Sequence, residues 1–237
     1  MTQGSGATRG RTRRAQRILS PVGRFFAPSA KRGESPAFTV ADVLATALFS
    51  VEGAAVGIHQ GLDLLGAVVV GMCTGIGGGL LRDVLMGDLP PAAFLSSSRL
   101  VAGLAGSFAA TLFAGREGIL SDPGVLAMDA AALALFAIAG TDKAIAHGSN
   151  ALVTLFFGTV TACGGGVVRD ILLNRTPLIL TSDFYAMAAL IGSGCMLVTS
   201  RLRAPGAWPM AVGFAVAFGS RIAALGLGWS LPRLGGV

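Results

Sequence analysis

The sequence predicts an all-α membrane protein of seven transmembrane helices, arranged as a 3+3 inverted repeat followed by a seventh helix. Three observations lead there. Of 237 residues, 53% are hydrophobic and only 13% charged, with a mean hydropathy of +0.71, whereas a soluble domain carries about 25% charged residues. Seven segments meet or approach the roughly 20 apolar residues that cross a bilayer core. The chain also repeats itself at an offset of 87 residues, Gly77 falling on Gly164.

Residues 1 to 36 read as a basic, disordered tail. It holds eight of the eighteen Lys and Arg (Arg9, Arg11, Arg13, Arg14, Arg17, Arg24, Lys31 and Arg32) and lacks the apolar core of a secretory signal. A basic segment beside a membrane span is drawn to anionic headgroups, so membrane lipids are the expected partner and nucleic acid is not.

The expected spans are 38–58, 62–86, 94–114, 124–146, 151–173, 184–200 and 208–231. The third and sixth are the weakest. Proline and glycine punctuate the gaps at Pro90-Pro91, Pro123-Gly124, Pro177 and Pro205-Gly206.

Two stretches, GGGLLRDVLMGDLP at 77–90 and GGGVVRDILLNRTP at 164–177, align without a gap at the 87-residue offset, and the match extends upstream through Asp42 on Asp129, Phe49 on Phe136, Gly53 on Gly140 and Thr74 on Thr161. Repeat 1 covers 38–115 and repeat 2 covers 124–201. Each copy holds three spans, so the second enters the membrane from the opposite face, an arrangement that places interrupted helices of the two halves near the midplane. The seventh helix, 208–231, lies outside the repeat.

Each glycine in a helix costs about 1 kcal/mol relative to alanine, so a kink or break is expected at Gly77, Gly78 and Gly79 and at Gly164, Gly165 and Gly166. Carbonyls freed by a break suit a water-filled cation pathway. The same glycines also suit close helix packing, and both readings stand. Arg82 and Asp83, with their mates Arg169 and Asp170, follow each triplet within a turn or so. They either face the pathway or snorkel to the interface, and an antiparallel arrangement suggests reciprocal pairs, Arg82 with Asp170 and Arg169 with Asp83.

Asp42 and Asp129 lie near helix starts, where the helix dipole accounts for them. Lys143 and Arg221 have no counterparts and are the asymmetric charges through which gating could enter. Cys73, Cys163 and Cys195 sit in apolar runs without ligand spacing, so no metal or disulfide is expected. His59 and His147 fall in connections and read as solvated. No enzyme is expected: Gly75-Ile76-Gly77-Gly78-Gly79-Leu80 lacks the third glycine of a dinucleotide fingerprint, and the arginine beside each aspartate opposes a shared-proton dyad.

The paired GGGxxRDxL motifs with their following prolines, the stretch FAIAGTDKA at 136–144, and Ser220-Arg221 ahead of Trp229-Ser230-Leu231-Pro232 resemble the prokaryotic members of the trimeric intracellular cation (TRIC) channel family. Their domain is also labelled a glycine transporter domain. The resemblance covers about residues 38 to 232. It implies a homotrimer in the bacterial inner (plasma) membrane, each protomer with its own pathway for monovalent cations, mainly potassium, lined by kinked spans two and five. It puts Gly77–Gly79, Arg82, Asp83, Gly164–Gly166, Arg169 and Asp170 around that pathway and Lys143 at a gating position. Ala144 replaces the glutamate that follows this lysine in animal members, so phosphoinositide control is not expected. The implied permeant ion is potassium or sodium, with no cofactor, and the alternative is a secondary transporter of glycine or another small solute.

The distribution of positive charge puts the N-terminus in the cytoplasm, with the tail, Arg99, Arg201 and Arg203 inside and Arg116, Arg175 and Arg233 outside. Animal members of the family have the opposite orientation.

Overall fold

The computed structural model describes residues 35–113, 123–181 and 184–229. Residues 1–34 of the basic tail, the end of the third expected span at 114, Arg116 beyond it, and the stretch from Ser230 onward lie outside them.

The described residues form helices and no strand. They are α1 (Pro36–His59), α2 (Leu64–Met86), α3 (Ser97–Ala110), α4 (Pro123–Ala146), α5 (Ala151–Leu172), α6 (Tyr185–Arg201) and α7 (Trp208–Leu227), with single helical turns at Ala92–Leu95 and Leu178–Thr181 and a 3-10 turn at Thr111–Phe113. The helix ends follow from local chemistry. Ser35 caps α1 by accepting from the Phe38 amide, with Pro36 at the first helical position. The repeat mates Asp63 and Asn150 each cap the second helix of their repeat, accepting from the Gly66 and Val153 amides at 2.7 and 2.9 Å. Gly87 and Gly228 end α2 and α7 in the left-handed region, where a Cβ would be strained.

Among the described residues five helices, α1, α2, α4, α5 and α7, are long and apolar enough to cross a membrane. The sequence expectation of seven spans is met in part. The third expected span divides at Ser96, whose extended backbone separates the turn at Ala92–Leu95 from the 14 residues of α3. The sixth yields the 17 residues of α6. At 1.5 Å per residue these two helices extend about 21 and 26 Å, short of a core of roughly 30 Å.

Alanine and glycine dominate the buried positions, which lets the helices approach closely. Two phenylalanines mark the centre. Phe49 of α1 and Phe136 of α4, mates at the 87-residue offset, stack with ring centroids 5.5 Å apart and are almost wholly buried among Ala45, Ala132, Leu133, Ala137, Ala188 and Ala189. Thr74 and Thr161, also mates, each return their hydroxyl to their own helix, at Val70 O and Phe157 O. Each stands against the matching glycine of the preceding helix, Gly53 and Gly140.

Phe49→Ala would open a cavity that surrounding alanines cannot fill. We expect it to destabilise the protein by about 3–5 kcal/mol, read as a lowered unfolding midpoint in detergent. Loss of Phe136 should be comparable.

Candidate functional site

Both glycine triplets lie within continuous helices, so of the kink or break expected at Gly77–Gly79 and Gly164–Gly166 the break is not formed. What the missing side chains permit is the crossing of α2 and α5. A Cβ on Gly78 would land on the Thr161 carbonyl oxygen, and one on Gly165 on the Thr74 carbonyl oxygen. The register runs Thr74 to Gly165 and Gly78 to Thr161, so the two helices pass in opposite directions. Backbone contact of this kind offsets the propensity cost of the glycines through packing and Cα–H···O interactions. The third glycines do something else: added Cβ atoms at Gly79 and Gly166 would face the guanidiniums of Arg82 and Arg169 at 3.5 and 3.9 Å.

Arg82 and Arg169 are only 1% and 2% exposed. Neither snorkels. In the first cluster Arg82 donates through Nε to Asp83 and through Nη1 to Asp42, both at 2.8 Å. Arg99 of α3 donates to the other Asp42 oxygen at 2.5 Å. Lys143 reaches over from α4 to Asp83 at 2.7 Å and to Asp88 at 2.6 Å. The second Asp83 oxygen accepts from the Ala92 amide at 2.9 Å and so fixes the turn after α2. Phe38 lies against Arg82 and Arg99, with its centroid 5.1 and 5.8 Å from the two guanidinium carbons.

The second cluster copies the first in part. Arg169 donates through Nε to Asp170 at 2.9 Å, and the other Asp170 oxygen accepts from the Leu178 amide at 2.9 Å. The mate of Asp42, however, has changed partners: Asp129 accepts from the Tyr185 hydroxyl at 3.1 Å and meets Arg221 of α7 at 3.7 Å, with Arg221 over the Tyr185 ring. The Nη1 of Arg169 turns instead to Glu52 of α1, a close ion pair.

The reciprocal pairs Arg82–Asp170 and Arg169–Asp83 are not formed. Each arginine lies four residues beyond the crossing glycine of its own helix. In antiparallel helices those steps carry the two clusters to opposite sides of the crossing. Each arginine therefore closes on its own following aspartate. Asp42 and Asp129 are likewise not explained by helix-end placement, since both are buried ion-pair partners. Sequence reasoning overlooked Asp42, Glu52 and Arg99 as site residues. The repeat of Asp42 at Asp129 was the available signal; nothing local marks Glu52 or Arg99. The pairing also removes Arg99 from the loop charges that set orientation.

Lys143 and Arg221, the unmatched cations, thus each complete one cluster. A small cavity beside the first is lined by Asp42, Thr46, Gly75, Gly79, Arg82 and Phe136.

The profile described as "Glycine transporter" matches residues 39–115 and 126–201. A TRIC trimeric intracellular cation channel orthologue from Rhodobacter sphaeroides superposes with a TM-score of 0.77 at 31% identity, over 82% of this chain and all of that one. The chain belongs to the TRIC family. A second TRIC structure, determined for the basis of conductance through TRIC cation channels, gives a TM-score of 0.74 at 35% identity over 83% of this chain and 96% of the other. Among bacterial relatives, the Escherichia coli inner membrane protein YadS is 30% identical over 64% of this chain and 73% of its own length. The charged clusters of this TRIC protein lie in the two profile-matched segments, apart from Arg221, which belongs to α7.

The crossing predicts a position-specific penalty. Gly78→Ala and Gly165→Ala should each destabilise by about 1–3 kcal/mol, the range for overpacking, whereas Gly226→Ala in α7, where an added Cβ meets nothing within 4 Å, should be neutral or stabilising. Thermal unfolding in detergent separates the cases.

Proposed function

We propose that this protein is a monovalent cation channel of the bacterial inner membrane, passing mainly potassium, with one pathway in each protomer of a homotrimer. The observation that carries the reading is the backbone-close crossing of α2 and α5 with a buried ionic cluster on either side of it. Gly77, Gly78, Gly79, Arg82 and Asp83 from one helix, and Gly164, Gly165, Gly166, Arg169 and Asp170 from the other, then line the pathway. Asp83 and Asp170 supply negative charge beside the pathway, while the carbonyls of the glycine triplets stay within continuous helices. The fold similarity to TRIC cation channels supports conduction, and the trimeric description of the orthologue supports self-association.

In this reading the two repeats are inverted, and all seven helices cross, α3 and α6 as short spans within the bundle. Two features support inversion: α2 and α5 contact one another in opposite directions, and the mates Phe49 and Phe136 touch, as residues on a twofold axis do. The basic tail with Arg201 and Arg203 places the N-terminus in the cytoplasm. Lys143 and Arg221 are the gating candidates, lipids surround the trimer, and neither a catalytic step nor a cofactor enters.

A secondary transporter of glycine or another small solute is the second reading. It is favoured by the profile described as "Glycine transporter", which covers both repeats.

Single cysteines at the helix caps Asp63 and Asn150, in a background lacking Cys73, Cys163 and Cys195, are expected to label from opposite sides of the membrane. Labelling from one side would remove the inverted arrangement.

Planar bilayers should show unitary potassium currents that Asp83→Asn with Asp170→Asn abolishes or strongly reduces. Asp83→Asn leaves the first cluster with Arg82, Arg99 and Lys143 against Asp42 and Asp88, an excess of one positive charge. One excess positive charge about 8 Å from a passing cation repels it by about 2 kcal/mol at an effective dielectric constant near 20, a more than tenfold effect. Saturable glycine uptake without unitary current would establish the carrier instead.

A further inference from the structure

The two clusters are not electrically equivalent. Each receives one charge from the first helix of the other repeat, but the charges are opposite: α4 sends Lys143 to Asp83, and α1 sends Glu52 to Arg169. Their mates are Val56 and Ala139, so neither exchange is repeated. Among the described residues the first cluster balances, with Arg82, Arg99 and Lys143 against Asp42, Asp83 and Asp88. The second sets Arg169 and Arg221 against Asp129, Asp170 and Glu52, an excess of one negative charge.

Glu52 is where that excess lies. Its residue is 7% exposed, and while Oε1 takes Nη1 of Arg169, Oε2 is buried without a hydrogen-bond partner. The groups facing it are Arg169 and Asp170 from α5, Asp129 from α4 and Tyr185 from α6; the charges of α2 and α3 belong to the other cluster. Arg169 is already shared with Asp170. An ionised carboxylate whose second oxygen is buried without a partner, facing two further carboxylates, is disfavoured unless a second positive charge joins it. The oxygen is enclosed, so the occupant that fits is the smallest one.

We propose that Glu52 is a proton-binding site, holding an exchangeable proton in this arrangement and releasing it when water or a permeant cation reaches the second cluster. Proton and metal cation then compete for the same negative charge. The transfer is a simple exchange: Oε2 loses H+ to water and the carboxylate left behind is balanced by the entering cation. The competition rests on the channel reading; the proton site does not.

Infrared difference spectra of the trimer in lipid, recorded across a pH titration, test the site without any transport. The unsubstituted protein should show a protonated-carboxyl stretch, sensitive to deuterium oxide, that disappears as pH rises. Glu52→Gln should delete that band, and Glu52→Asp should shift it. Absence of a titrating band from the unsubstituted protein overturns the proposal, whether or not either variant folds, as does a band that both variants leave unchanged. In liposomes, potassium flux should fall as pH is lowered, and Glu52→Gln should flatten that profile while the protein elutes as the same oligomer. A retained pH profile in that variant overturns the competition. Absence of potassium flux at every pH counts against the channel reading and leaves the infrared result to stand.

Discussion

Burying an arginine among apolar helices is the constraint from which the rest of this structure follows. A guanidinium taken out of water costs several kcal/mol unless its donors are met and its charge is balanced, and lipid offers neither. Arg82 therefore requires Asp83 and Asp42, and Asp42 in turn holds Arg99. These bonds join α1, α2 and α3 at one end of the repeat. Arg169 makes the corresponding demand and recruits Glu52 from the other half of the chain. The ionic contacts thus locate helices whose apolar surfaces alone would leave their rotation and depth loosely specified.

The glycines answer a complementary need. Side chains as long as arginine fill their clusters only if the helices bearing them come close elsewhere, and the closest approach falls at Gly78 and Gly165, four residues away on each helix. Small residues at the crossing and large charged ones beside it are two halves of one packing solution. The triplets are absorbed within regular helices because a neighbouring carbonyl takes up the space where a side chain would stand.

Much of this was legible before any coordinates. Periodicity of composition gave the apolar spans, and the 87-residue offset gave the repeat. The motif singled out Arg82, Asp83, Arg169 and Asp170 because charge is conspicuous in such sequence, though it paired them across the repeats and not within each motif. The partners were not legible. Glu52 and Lys143 reach across the chain by 117 and 60 residues, and no local pattern encodes a contact between helices of different repeats. The continuity of α2 and α5 was missed for a related reason: helix propensity prices a glycine in isolation, whereas here a packed neighbour compensates. The short α3 was foreshadowed by its weak apolar run and by the serines that open it.

Duplication followed by fusion frees a sequence from a restriction that binds a homodimer. Phe49 and Phe136 touch their own counterparts, so a change in one alters a contact that both must satisfy. Glu52 and Lys143 each stand alone in the repeat, their mates being Ala139 and Val56. Two identical half-length chains related by a twofold axis would present the same electrostatic profile from either side of a membrane, since every charge would recur upside down. A single chain carrying both copies can hold a lysine on one side and a titratable carboxyl on the other. In the inverted arrangement proposed above, that inequality is the minimum a symmetric scaffold needs before it can distinguish inward from outward, and with it rectification becomes available.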